Sequence, residues 1–377
     1  RAEAEERLVG TESVVCMRGW LTAPEEEKLT ALLAKYDCAW DLADPTEDEY
    51  PEVPVKLKNN KFTEPLNMVT NMYSLPAYGT VDPNPLMAPF FILFYGIMMA
   101  DMGYGLVMVL AALIALGKMK PKRGSKYFCE LLLACGVSTF LLGIVTGGFF
   151  GNAVPTIVKM FGHDVQLGIL TSPLLDPLKD TTTILIGAMV LGFIQLVTGM
   201  IVNMVKVGDA IFNEGTWLVL FAGLALYVLK IGNIAGVPVV LCIGGLMLLY
   251  GSGREAKGFG KVTAVFGALY NGLTGWFGDI LSYSRLMALM LAGSVIAQVF
   301  NTLAAMPSSG GVSMLVFILI FLVGHALNFG LNLLGCFVHD LRLQCLEFFG
   351  KFYVDGGKPF SPLEINTRYV DVENHNF

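Results

Sequence analysis

Between Val262 and Val338 only two side chains carry a full charge, Asp279 and Arg285, and both lie in otherwise apolar sequence. Arg285 falls in Leu-Ser-Tyr-Ser-Arg-Leu-Met-Ala-Leu, about nine residues, or roughly 13 Å, inside a span that starts near 276. Guanidinium stays protonated in proteins, and placing it near a bilayer centre costs at least ~2.5–3.5 kcal/mol. One reading is an arginine snorkelling from a helix end. Its depth argues instead for an anion partner with a function.

A second set lies on the last long apolar run. His325, Asn328, Asn332, His339 and Arg342 are spaced 3, 4, 7 and 3 apart. At about 100° per residue they fall at roughly 0, −60, −20, −40 and −100°, within one ~100° arc of a helix. Leu327, Leu331, Leu334 and Val338 lie off that arc. Such a stripe is either an interhelical hydrogen-bond ladder, each contact averaging ~0.6 kcal/mol, or the lining of a polar path. Five polar groups including a fixed cation exceed what packing needs, which favours a path for ions or protons. Asp279, Ser282, Ser284, Gln344, Glu347 and Asp101 are supporting polar groups. No carboxylate within the spans 128–150, 181–205 and 286–338 is expected to bind a travelling cation, and Asp101 and Asp279 lie near expected span boundaries or turns. The expectation is therefore that the ion-carrying acid belongs to a partner subunit.

The elements that must position these groups are membrane helices. Of 377 residues 54% are hydrophobic and 15% charged, and the mean hydropathy is +0.62. Residues 1–85 hold 16 acidic and 8 basic side chains, whereas the following 292 hold 15 and 17. A soluble acidic segment thus precedes a membrane domain. Apolar runs cover 86–117, 128–150, 181–205, 210–229, 231–251, 276–305 and 312–350, against the ~20 residues a crossing needs. The bases of loop 118–126 (Lys118, Lys120, Lys122, Arg123, Lys126) and of loop 254–261 (Arg254, Lys257, Lys261) place both loops in the cytosol, with 151–180 and 306–311 outside. A cytosolic N-terminal segment then requires 86–117 to cross twice, turning at Ala-Asp101-Met-Gly103-Tyr-Gly105. The alternative is one tilted 32-residue helix, which puts five bases outside. The hairpin makes eight crossings with both termini cytosolic, and 262–275 becomes a surface helix.

The expected fold is an all-α polytopic membrane protein preceded by the end of a small α/β cytosolic domain. Its parts are 1–85, 86–353 and a cytosolic tail 354–377. Within the first part, Val14–Met17 reads as a strand, Pro24 opens a helix, and the seven prolines of 44–85 mark an extended linker. Gly143, Gly147 and Gly151 form a GxxxGxxxG face for the helix at 128–150. The chain starts at Arg1 within a charged stretch, as the C-terminal part of a longer polypeptide would.

Several functions are disfavoured. The soluble part lacks a basic patch with interleaved aromatics, so no nucleic-acid partner is expected. Seven scattered cysteines without CxxC argue against zinc and disulfides, and no metal or cofactor is expected. The Gly-Lys pairs at 117, 260, 350 and 357 are followed by Met, Val, Phe and Pro. No phosphate-binding Gly-Lys-[Ser/Thr] results, and nucleotide hydrolysis is not expected on this chain.

The segments Phe94-Tyr-Gly-Ile-Met-Met-Ala-Asp101-Met-Gly-Tyr-Gly105, Phe277-Gly-Asp-Ile-Leu-Ser-Tyr-Ser-Arg285-Leu-Met-Ala-Leu289, Phe337-Val-His-Asp-Leu-Arg342-Leu-Gln-Cys-Leu-Glu-Phe-Phe-Gly-Lys-Phe-Tyr353 and Gly356-Gly-Lys-Pro-Phe360 resemble subunit a of the V-type/A-type rotary ATPases, called subunit I in prokaryotes. The resemblance implies a long cytosolic arm and eight membrane helices. Two of these, long and tilted, line aqueous half-channels against a ring of proteolipid subunits. It also implies peripheral-stalk and central-stalk-associated partners, a surrounding bilayer, and a prokaryotic plasma membrane. Arg285 matches the family's essential arginine and Arg342 its second. Arg285 then draws each arriving ring carboxylate into its charged form, so that H+ or Na+ is released, and blocks leakage between the half-channels. Many proton-pumping relatives have Glu where this chain has Asn332, and some have His where it has Gly293; this departure weakens an obvious proton relay and leaves sodium coupling open. The competing readings are a self-contained secondary ion transporter and a purely structural stalk anchor.

Overall fold

The computed structural model describes residues 9–10, 14–119, 121, 123–160, 173–206, 210–228, 233–234, 237–253, 260–306 and 311–362. The chain divides into two compact units: Arg1–Lys58 with Ser74–Asp82 and Val354–Phe377, and Asn59–Tyr73 with Pro83–Tyr353.

In the first unit Val9–Gly10 pairs antiparallel with Val15–Cys16. Pro24 lies in a 3-10 turn, Ala23–Glu25, that leads into helix α1, Glu26–Leu33. A three-stranded sheet has Asp355–Pro359 at its centre, parallel to Pro54–Val55 on one side and antiparallel to Leu75–Pro76 on the other. The prolines of 44–85 therefore punctuate short elements instead of keeping the whole stretch extended. These include the Glu47–Glu49 turn, where the Thr46 N–H donates to Glu49 Oε2 at 3.3 Å. Arg18 pairs with the same carboxyl, and these two contacts, the arginine's first, hold it below the usual carboxylate range.

The second unit is helical. After α2 (Asn67–Tyr73) come α3 (Asn84–Met99) and α4 (Met102–Ile114), which a π-turn at Ala115–Met119 extends. The run 86–117 is thus broken, and side-chain geometry shows how. A Cβ on Gly96 of α3 would lie 2.3 Å from Ser138 Oγ of α5 (Arg123–Thr146), and one on Gly143 would lie 2.3 Å from Met102 N. Along α4 the contact returns, from Gly105 against Phe140 to Met108 against Gly136. The two arms run in opposite directions along α5, as a hairpin requires. Ala100 turns the corner at φ 22°, and Asp101 caps α4 by accepting from Gly103 N at 2.8 Å and Tyr104 N at 3.2 Å.

The helix at 128–150 ends at Thr146, which corrects the GxxxGxxxG reading. Gly143 packs within it, but Gly147 and Gly151 adopt φ of 66° and 65° in the turn beyond. Then follow α6 (Ala153–Met160), α7 (Thr181–Lys206), α8 (Ala210–Val228) and α9 (Val239–Gly253). The run expected from 231 starts helical structure only at Val239, because Asn233–Ile234 and Val237–Pro238 pair as a small hairpin. The expected surface helix and seventh span are a different pair, α10 (Gly260–Ser282) and α11 (Ser284–Ala305), separated by Tyr283 alone. Last come α12 (Gly311–Arg342), a π-turn (Leu343–Phe348) and a 3-10 turn (Phe349–Lys351).

Among the described residues, five helical stretches are long and apolar enough to cross a membrane: Met102–Met119, Gly124–Thr146, Thr181–Val205, Val265–Ala305 and Met314–Lys351. Asn84–Met99, Gly215–Tyr227 and Val239–Gly251 are apolar but shorter. The loop-charge argument falls partly on residues 120, 122, 161–172, 254–259 and 307–310, which lie outside the described residues. The core joins Phe91 and Phe94 of α3, Leu196 and Met200 of α7, Tyr283, and Phe348 and Phe349 beyond α12.

Candidate functional site: two polar clusters along one helix

Helix α12 meets polar partners in two places. In the first, His325, Asn328 and Asn332 are buried, and all three belong to one hydrogen-bonded ladder. Asn301 of α11 donates from Nδ2 to Phe150 O (2.8 Å) and Asn152 Oδ1 (3.0 Å), so its Oδ1 faces His325 Nε2 at 2.9 Å as an acceptor. His325 therefore carries its proton on Nε2, and Nδ1 accepts from Tyr104 OH at 2.7 Å. Asn328 Nδ2 donates to the same phenol oxygen (2.9 Å) and to Gly293 O (3.1 Å), and Asn332 Nδ2 donates to Asn328 Oδ1 (2.8 Å). These three residues of the stripe form the ladder that sequence reasoning held as its alternative.

Beside the ladder lies a cavity of about 220 Å³, bordered by Asp101, Tyr104, Asn152, Gly293, Ser294 and Asn332 among others. Asp101, 6% exposed, is held from two sides. Phe150 N (3.0 Å) joins Gly103 and Tyr104 on its Oδ1, and Gly151 N donates to Oδ2 at 2.7 Å. It is a fixed acceptor placed by a helix cap and by the turn after α5.

The second cluster surrounds the break at Tyr283. Arg285 is the second residue of α11, just past the break at Tyr283 and well inside the apolar stretch Val265–Ala305. Its Nη2 lies 2.9 Å from Glu347 Oε1, with side chains 22% and 7% exposed. Lys351 Nζ lies 2.7 Å from Asp279 Oδ2 and 4.1 Å from the centre of the Trp276 ring. Tyr283 OH donates to Gln195 Oε1 (2.9 Å), Gln195 Nε2 to Gln344 Oε1 (2.5 Å), and Gln344 Nε2 to Asp340 Oδ1 (3.3 Å). Ser282 bonds back to Gly278 O at 3.1 Å, and Ser284 starts α11, half-buried.

The stripe does not stay together. His339 is half-buried, with Nδ1 unpartnered among the described residues, and Arg342 is exposed in line with Leu331, Leu334 and Val338. A −100° offset from His325 already puts Arg342 at the edge of the arc. The expectation that this chain has no buried acid in its spans is also corrected: Asp340 (0% exposed) and Glu347 (7%) lie just past the 338 boundary, in the stretch Met314–Lys351. Sequence reasoning missed Asp340, Gln195, Tyr283, Tyr104 and Asn301. For Asp340 a signal existed, since 340, 344 and 347 recur at helical spacing on one face.

Fold and site together define a helical membrane protein with an arginine held against a carboxylate at a helix break and a neutral ladder beside a cavity farther along the same helix. The chain belongs to the V-type ATPase 116kDa subunit family, whose model matches residues 7–142 and 276–365. It is 34% identical to the A-type ATP synthase subunit I of Methanocaldococcus jannaschii over 98% of this chain and 58% of that protein. The corresponding protein of Pyrococcus horikoshii is 33% identical over 97% of this chain and 56% of its own length. The V-type ATP synthase subunit I of Borreliella burgdorferi is 27% identical over 88% and 56%. The chain thus spans little more than half the length of these relatives.

Proposed function

We propose that this chain is the stator membrane subunit of a rotary ATPase, crossing the membrane eight times with both termini cytosolic, in a prokaryotic plasma membrane. Its exposed apolar faces on α11 and α12 meet a proteolipid ring, and its cytosolic arm joins the peripheral and central stalk parts. Nucleotide hydrolysis belongs to other subunits. The observation that carries the reading is the state of Arg285. It is held in largely apolar surroundings by a single contact, while its Nη1 and Glu347 Oε2 have no partner among the described residues. Such a guanidinium has a free donor for an incoming carboxylate, and Glu347 is the anion that gives way.

In a low-dielectric setting an arriving ring carboxylate is stabilised in its charged form by the guanidinium, and the H+ or Na+ it carried leaves. The ladder and cavity serve one half-channel, and the charged groups Asp279, Glu347 and Lys351 the other. Between Asn332 and Asp340, α12 carries Leu333, Leu334, Gly335, Cys336, Phe337, Val338 and His339, about 12 Å of mostly apolar helix that opposes direct leakage. Asn332, with the remaining ladder residues, lines the path without a titrating acid at that position, and Arg342 faces the ring.

The test is Arg285→Ala in the assembled complex. ATP-driven ion uptake is expected to vanish while the complex still assembles. Undiminished uptake in that variant overturns the proposal and leaves the structural-anchor reading. Ion uptake by the reconstituted chain alone supports a self-contained transporter instead. Whether ATPase activity requires Na+ decides the ion.

A further inference from the structure

Asp340 is fully buried, one of its oxygens has no partner among the described residues, and none of the described cations pairs with it. Its other oxygen ends the chain Tyr283–Gln195–Gln344–Asp340, which joins the helix break to α7 and α12. An amide side chain has one donor end and one acceptor end, so a chain of amides has a direction. Because Asp340 Oδ1 accepts, Gln344 turns its nitrogen toward it and its oxygen toward Gln195. Gln195 then turns its own oxygen toward the Tyr283 hydroxyl. One acceptor sets both amides.

Tyr283 is the only residue between α10 and α11 and is fully buried. Its ring lies so close to Gly192 that a Cβ there would come within 2.2 Å of it, and it meets Phe94 edge to face at 5.7 Å. Two residues later comes Arg285. Holding the Tyr283 hydroxyl therefore holds the start of α11 and the approach of Arg285 to Glu347.

We propose that Asp340 is a positioning residue for Arg285, acting through the directed chain Gln344–Gln195–Tyr283. The inference rests on the ion-releasing role of Arg285 proposed above. Asp340 needs no charge for this task; it needs an oxygen that accepts.

The assembled complex in proteoliposomes tests it, with ATP-driven proton uptake followed by a pH-sensitive dye, radiosodium uptake measured in parallel, and subunit composition checked throughout. Asp340→Asn retains an acceptor oxygen and keeps uptake within about twofold of the parent, whereas Asp340→Leu lowers it about tenfold or more through misplacement of Arg285. Tyr283→Phe lowers uptake on its own and adds nothing further in the Asp340→Leu background, because both act on one chain. Equal damage from Asn and Leu overturns the proposal and makes the carboxyl charge itself the working part. Full uptake with Leu, or losses that multiply in the double variant, also overturns it. Should Asp340→Leu fail to assemble, Gln195→Met cuts the same chain and is scored against Tyr283→Phe in the same way. Arg285→Ala runs alongside: its undiminished uptake sinks the functional reading, while its loss beside an unaffected Asp340→Leu sinks only the positioning role.

Discussion

The two polar clusters along α12 use different chemistry. The first consists of amides, an imidazole and a phenol, and each of its members has a partner. The second holds the charges, and it is incompletely paired. Of the buried side-chain atoms without a partner among the described residues, Arg285 Nη1, His339 Nδ1, Asp340 Oδ2 and Glu347 Oε2 belong to this end, and only Thr139 Oγ1 lies elsewhere. An unmade hydrogen bond in apolar surroundings costs roughly 1–3 kcal/mol, so such atoms accumulate where the surroundings have a use for them. The satisfied cluster is suited to shaping a path, and the unsatisfied one to exchanging partners.

The sharpest way to break this contrast is Glu347→Leu. It leaves Arg285 unpaired inside the unit and is expected to destabilise by about 3–5 kcal/mol, the usual loss when one partner of a buried pair is removed. A thermal-unfolding midpoint in detergent equal to the parent's would show that the pair is not structurally engaged. Gly192→Ala strikes the second cluster without touching a charge. Its Cβ would press on the rigid Tyr283 ring at 2.2 Å, for about 2–3 kcal/mol of overpacking, and ion uptake should fall with it. Asn301→Ala tests the first cluster: His325 Nε2 and Phe150 O lose their partner, and about 1–2 kcal/mol should be lost. If uptake then drops as far as in the Gly192 variant, the two clusters are not functionally distinct.

Arg342→Ala should change stability by less than about 0.5 kcal/mol, since the side chain is exposed. A loss of uptake with stability intact would place its role at a partner surface. The smallest effect concerns the other Arg–Glu pair, Arg18–Glu49, whose side chains are 73% and 33% exposed against 22% and 7% for Arg285–Glu347. Glu49 titrates below the usual carboxylate range because of Arg18. Its contribution to stability is therefore present above the ordinary glutamate range and is lost as the pH falls through its lowered midpoint. In Arg18→Ala, NMR titration should show that midpoint moving upward; no movement would remove the pair from the account.

Much of this was legible before any coordinates. Asp101 followed by Gly103 and Gly105 marked the hairpin corner, because a carboxylate and two glycines interrupt the middle of an apolar run; that Asp101 caps the new helix came from the structure. Arg285 stood out because a permanent cation in apolar sequence is expensive. The ladder was only half legible: the spacing of His325, Asn328 and Asn332 puts them on one face, but Tyr104 and Asn301, which decide what that face does, lie 221 and 24 residues from His325. Asp340 escaped because the stretch considered for a buried carboxylate stopped at Val338, although the last apolar run, 312–350, continues past it.

Apolar run length and charge placement belong to the chain itself. Each depends on the cost of moving a side chain or a backbone group out of water, and this cost is local. Membrane character, the arginine and the reversal at Asp101 could therefore be read from sequence. Which polar groups pair depends on distances between helices far apart in the chain. Only the tertiary structure could separate Arg342 from the stripe, set Glu347 against Arg285, and end the amide chain on Asp340, because hydrogen bonds and ion pairs are made across ångströms of space and not along the sequence.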